Sequence, residues 1–146
     1  MPRSLVRDSI ESDPLSSLPG YALRRAANAM MGDLAARLAV TDLRVSDATV
    51  LLLIADREDM TSSEIGKVLD IQRANMVPLL NRLETSGLIR RRPIDRKSQA
   101  ILLTDTGSAR LADVRRIIAA FENDLMARIP APHRPHFVPA LQALTD

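Results

Sequence analysis

Apolar positions recur along this chain at helical spacing in two long stretches, with shorter apolar segments between them. Leu23, Ala27, Met30, Leu34 and Leu38 form one stripe at intervals of three and four. Leu111, Val114, Ile118, Phe121, Leu125 and Ile129 form another. Each predicts a long amphipathic helix. Pro19-Gly20 stands at the start of the first, where the first-turn amides have no helical partner to lose. Thr104 is placed to cap the second, and Pro130 and Pro132 stop it. A short terminal helix carrying Phe137, Leu141 and Leu144 follows.

Between the stripes the pattern shortens. Val45-Ser46 predicts a helix start, with Ser46 as the N-cap and Val45 closing over Val50 as a hydrophobic staple. Leu51 to Ile54 make that helix apolar nearly all round, so it is expected at the buried centre. Arg57-Glu58-Asp59 then ends it in a solvated turn. Thr61 and Glu64 have the spacing of a capping box, and Ile65, Val68 and Leu69 supply the inner face of the next helix. After a turn at Asp70-Ile71, a helix from Gln72 to Ser86 points Met76, Leu79, Leu80 and Leu83 inward. Gly87 suits the left-handed position that ends it. Leu88-Ile89 and Ile101-Leu102-Leu103 are apolar enough to pair as strands around a loop from Pro93 to Ser98. The expected fold is mainly α with a small β wing: a winged helix-turn-helix between long flanking helices.

The central lobe is too small to bury both long stripes. Pairing with a second copy would cover them, which assigns Leu23, Ile118, Phe121, Leu125, Ile129, Phe137 and Leu141 to a two-fold interface. The expected division is a polar, flexible arm over 1–17, dimerisation helices over 18–42 and 105–146, and the winged lobe over 43–104.

Composition narrows the chemistry. Apolar residues make up 46% of the 146, but aromatic ones only 2%, a palette that favours helices over a sandwich or barrel. With no cysteine there are no disulfides, thiolate metal sites or thiol-based redox sensing. No apolar run reaches the length of a membrane span, and a cytoplasmic protein without membrane partners is expected. The net charge of +2 says little until it is divided. Residues 60–104 hold eight Lys/Arg and four acids, an excess of +4, and the rest carries −2. The positive charge therefore sits in the helix-turn-helix and wing, as binding to phosphates requires.

On a helix turning about 100° per residue, Ala74, Pro78, Asn81 and Arg82 lie opposite Met76, Leu80 and Leu83, with Asn75 and Val77 flanking. Small Ala74 permits close approach to a groove, Asn75 and Asn81 can pair with base edges, and Arg73 and Arg82 can reach phosphate or guanine. Arg90, Arg91, Arg92, Arg96 and Lys97 supply the wing, with Asp95 expected to brace an arginine. The candidate DNA-contacting set is Thr61, Ser62, Arg73, Ala74, Asn75, Val77, Pro78, Asn81, Arg82, Arg90, Arg92, Arg96 and Lys97.

Asn75-Met-Val-Pro-Leu-Leu-Asn-Arg-Leu-Glu-Thr-Ser-Gly-Leu-Ile89, then Asp95-Arg96-Lys97, then Leu103-Thr-Asp-Thr-Gly107, resembles the MarR family of bacterial transcription regulators. The resemblance runs from about Leu18 to Leu144. It implies a homodimeric winged helix-turn-helix protein on a palindromic double-stranded operator, usually a repressor released by a small ligand. Two positions depart from the family's pattern. Pro78 stands where members often place a polar or basic contact, and Lys97 where many have the arginine that enters the minor groove. Proline removes an amide from the helix ladder, and lysine lacks the planar fork of arginine.

The resemblance also implies an effector pocket between the long helices and the lobe, mapping onto Tyr21, Arg24, Arg25, Asn28, Met31, Val50, Ile54 and Ile118. By the same analogy the effector is an aromatic acid or its acyl thioester, whose anionic group the arginines beside Tyr21 could hold. Catalysis is not expected, since no nucleophile elbow, P-loop or metal-spaced cluster occurs. His133 and His136 lie in a proline-rich turn without acidic partners, and no cofactor is expected. The alternative reading is an architectural or partner-binding winged-helix protein without a ligand response. A general DNA coater would need more positive charge than +2.

Overall fold

The computed structural model describes residues 13–146. Of the arm expected over 1–17, the first twelve positions lie outside those residues. Asp13 to Ser17 form a turn rather than a free tail. The Asp13 carboxylate accepts the Leu15 amide at 2.9 Å and pairs with Arg25. That arginine's hydrogen bond holds the Asp13 carboxyl below the ordinary aspartate range.

Helix α1 spans Pro19–Leu38 and leads through a tight 3-10 turn, Ala39–Thr41, to Asp42 in the left-handed conformation. Then come α2 (Val45–Ile54), α3 (Ser62–Leu69) and α4 (Arg73–Thr85). Strands β1 (Ile89–Pro93) and β2 (Gln99–Leu103) pair antiparallel, Ile89 opposite Leu103 and Pro93 opposite Gln99. The long α5 (Asp105–Arg128) and short α6 (Arg134–Gln142) close the chain, so Leu144 lies beyond the last helix.

Helix α2 is the hub. It touches α1, α3, α4, α5 and β2, which is why it is apolar on every side. Leu38, Val50, Leu51, Ile54, Ile65, Met76, Leu80, Leu83, Leu88, Ile101 and Val114 form the sealed centre around it. Its start differs from the expected one: Arg44, not Ser46, is the N-cap. The Asp47 carboxylate reaches back to accept the Arg44 amide at 2.8 Å, which draws Val45 into the first turn and leaves no staple. The other expected caps form. Thr61 and Glu64 exchange bonds of 2.9 and 3.3 Å across the start of α3, and Gly87 has φ +74° after α4.

The wing is bound to the helices at both ends. The Ile101 amide donates to the Met60 carbonyl at 2.8 Å, and Thr61 bridges to Ala100, so the segment before α3 lies along β2 as a third edge. At the other end the Thr104 hydroxyl donates to the Gly87 carbonyl at 2.6 Å while accepting the Gly107 amide at 2.9 Å. Here α5 passes so close to the preceding turn that a Cβ on Gly107 would stand 2.0 Å from the Leu88 carbonyl oxygen.

Helices α1 and α5 pack through the C-terminal half of α1. Arg37 pairs with Asp33 and Asp124 and stacks 5.6 Å from the centre of the Phe121 ring. Phe121, expected at an interface between chains, is thereby covered within one chain, and only 5% of its surface remains exposed. Leu23 and Met31 of α1 and Val138 of α6 stay open to solvent. Ile118, Leu125, Ile129, Phe137 and Leu141 are half-buried.

Candidate nucleic-acid interface

Helices α3 and α4 meet at a sharp turn because Asp70 takes the left-handed conformation (φ 53°) and the Ile71 amide folds back onto the Gly66 carbonyl at 2.8 Å. Gly66 makes that approach possible, since a Cβ there would lie 2.9 Å from the Ile71 carbonyl oxygen and 3.3 Å from Met76 Cγ. The N-terminal turn of α4 is thus projected from the lobe, with Arg73, Ala74, Asn75, Val77 and Pro78 exposed on it.

Between this helix pair and the wing runs an open groove of about 760 Å³. Thr61, Ser62, Arg73, Val77, Arg96 and Lys97, all singled out from the sequence, line it together with Lys67. Lys67 was missed as a site residue. Its signal was its place in the basic segment, three residues after Glu64 in the first turn of α3. Among the described residues, Lys67, Arg73, Arg96 and Lys97 form no ion pair, so their charge is directed outward. The wing tip holds its shape through Asp95, whose carboxylate accepts the Lys97 and Ser98 amides, each at 2.8 Å. The expected brace on an arginine is absent because these two amides are nearer partners.

Other candidates are placed elsewhere. Successive residues of a strand point to opposite faces, so Arg90 and Arg92 turn away from the groove while Arg91 faces it. Arg92 donates to the Glu58 carbonyl at 2.8 Å, in the loop between α2 and α3. Arg91 bridges to α4, reaching Glu84 at 3.1 Å and the Asn81 side-chain oxygen at 3.0 Å. Asn81 is consequently engaged within the chain rather than free for a base edge. Arg82, expected to read DNA, is turned inward onto Asp47, a carboxylate only 3% exposed. A wheel projection places its Cα near the outer face, but its long side chain lies down toward α2 and buries its Nε.

The residues mapped to an effector pocket are not gathered in one chain. Val50 and Ile54 are sealed in the core. Tyr21, Arg24, Arg25, Asn28 and Met31 are exposed toward the N-terminal part of α1. Tyr21 lies about 20 Å along the helix from Leu34, where α1 joins the core. Arg25 is engaged by Asp13 and stacks 4.6 Å from the Tyr21 ring centre. A second open groove, about 590 Å³, lies between the turn after α1 and α5, lined by Thr41, Asp42, Arg110 and Arg116 among others. Among the described residues no helix is long and apolar enough to cross a membrane, and no three acids or histidines converge on a metal position.

Comparison with known proteins bears on the family and the fold. A family model described as MarR family matches residues 41–98, which take in α2, α3, α4, β1 and the wing loop but stop short of β2. The HTH-type transcriptional regulator TtmR of Methylorubrum extorquens (strain PA1) is 35% identical over 110 residues, which make up 72% of this chain. They make up 56% of that protein, so the chain spans little more than half the length of this relative. The structure of the transcriptional repressor CouR bound to a 23-mer DNA duplex superposes with a TM-score of 0.84 at 33% identity, covering 90% of this chain and 95% of that one. CouR from Rhodococcus jostii RHA1 bound to p-coumaroyl-CoA gives a TM-score of 0.79 at 26% identity, covering 91% and 95%. With the winged helix-turn-helix, its flanking helices and these matches in agreement, the chain belongs to the MarR family of transcriptional regulators.

Proposed function

We propose that the chain is a sequence-specific, ligand-responsive DNA-binding regulator that acts as a homodimer on a palindromic operator, as a repressor that a small molecule releases. The observation that carries this reading is the groove between α3–α4 and the wing, along which Lys67, Arg73, Arg96 and Lys97 direct unneutralised charge. A duplex presents phosphates on both sides of a groove, and an exposed helix flanked by such cations fits between them. That CouR was solved on a DNA duplex supports the reading.

The dimer follows from the apolar surface left open. Leu23 (42% exposed) and Met31 (49%) on α1 and Val138 on α6 lie uncovered, with Leu125, Ile129, Phe137 and Leu141 half-buried nearby in sequence. A second copy would remove this surface from water and supply a second reader for the other half-site. On this view 18–42 and 105–146 serve dimerisation and 43–104 serves DNA. The effector class is an aromatic acid or its acyl thioester, a view that the p-coumaroyl-CoA-bound CouR supports. Arg24, Asn28 and Met31 remain open to such a ligand, whereas Val50 and Ile54 leave the candidate set. The role is binding rather than catalysis.

The test is a binding assay on a palindromic fragment from upstream of the chain's own gene, set against random DNA over a salt series. Preference for the fragment, steep salt dependence, and release by an aromatic acid or its CoA thioester are expected. Equal affinity for both DNAs would overturn the regulator reading.

A further inference from the structure

We infer that α4 reads thymine methyl groups through an apolar ridge formed by Ala74, Val77 and Pro78, so that the bases facing this helix include A·T pairs. The inference rests on the DNA-binding reading above. Positions i, i+3 and i+4 share one helix face, and here that face is opposite the buried Met76, Leu80 and Leu83. All three ridge residues are exposed, Val77 by 54%. None carries a side-chain hydrogen-bonding atom, and Pro78 has no amide hydrogen. The foremost surface of the helix therefore has nothing to offer a guanine or cytosine edge, whose donors and acceptors would be left unpaired against it. The thymine C5-methyl is the one ordinary feature of the major groove that an apolar surface complements.

The surroundings commit the ridge to DNA rather than to a protein partner. Arg73 is its neighbour on the helix, and Lys67, Arg96 and Lys97 stand along the adjoining groove without ion partners among the described residues. An apolar protein surface would have to bury those charges. Asn75, exposed beside the ridge, has the side chain that pairs with adenine N6 and N7, the partner base of the thymine.

The experiment uses the whole chain to select from random-sequence duplexes. The enriched duplex is then remade with each thymine in turn replaced by deoxyuridine, which removes the methyl and keeps the hydrogen-bonding edge. At one or more positions in each half-site the replacement should weaken binding about fourfold, the value of one buried methyl-sized group. Val77→Ala or Pro78→Ala should shrink that ratio at a specific position. An enriched sequence insensitive to deoxyuridine throughout, or ratios unchanged in both variants, would overturn methyl reading while leaving DNA binding intact. Failure to enrich any sequence over a scrambled duplex would overturn the DNA reading itself.

Discussion

Asp47 is the only buried charged residue of the described chain, and it serves two elements at once by holding the Arg44 amide and the Arg82 guanidinium. A carboxylate taken out of water needs both partners. Because the Arg82 side chain is 37% exposed, water screens the pair, and its loss costs less than that of a fully buried bridge. Arg82→Ala should lower the unfolding free energy by roughly 1–3 kcal/mol, measured by urea denaturation. It should weaken operator binding without changing the preference at any base pair. Relaxed preference at a single base pair would return Arg82 to the reading surface. Gly107→Ala should be worse, by about 3 kcal/mol, because its Cβ meets the Leu88 backbone rather than a side chain that can swing away. Capping at Thr61 and Thr104 was legible in the sequence because donor and acceptor lie within one helical turn. The Arg82–Asp47 bridge was not, since its partners are 35 residues apart and periodicity says nothing about where a long side chain lies down.

Among the elements, α4 is anchored at its C-terminal half and interrupted at its centre. Its C-terminal half is held from two sides, by Arg82 to α2 and by Arg91 of β1 to Glu84 and Asn81. Its centre carries Pro78, which leaves the Ala74 carbonyl without its helical donor. Pro78→Ala should restore that bond and raise stability by up to about 3 kcal/mol, read as a higher thermal midpoint. An unchanged or lower midpoint would mean that the proline relieves a strain elsewhere. The helices themselves were legible from their stripes. The two faces of the wing were not legible, because strand alternation sends Arg90 and Arg92 one way and Arg91 the other only once the register is known.

For the whole molecule, the incompletely covered faces of α1, the end of α5 and α6 matter most. Leu125→Glu combined with Leu141→Glu places charge on half-buried positions outside the lobe's core. In the proposed dimer this should yield a folded monomer by sedimentation, with operator affinity reduced at least tenfold because each half-site is then bound alone. A double variant that stays dimeric would place the interface elsewhere. The stripes were legible as surfaces in need of cover. Phe121 was misplaced among them because its cover, Arg37, comes from the other long helix of the same chain.

The joining of the wing to Met60 at one end and to Gly87 and Leu88 at the other has a consequence for regulation. These bonds tie the base of the wing to the lobe that carries α4, so in the proposed dimer a ligand acting through the long helices is expected to change the separation of the two lobes rather than the gap between α4 and the wing within each. Regulation would then rescale affinity for every operator by one common factor. A ranking of operator variants measured with effector should match the ranking measured without it.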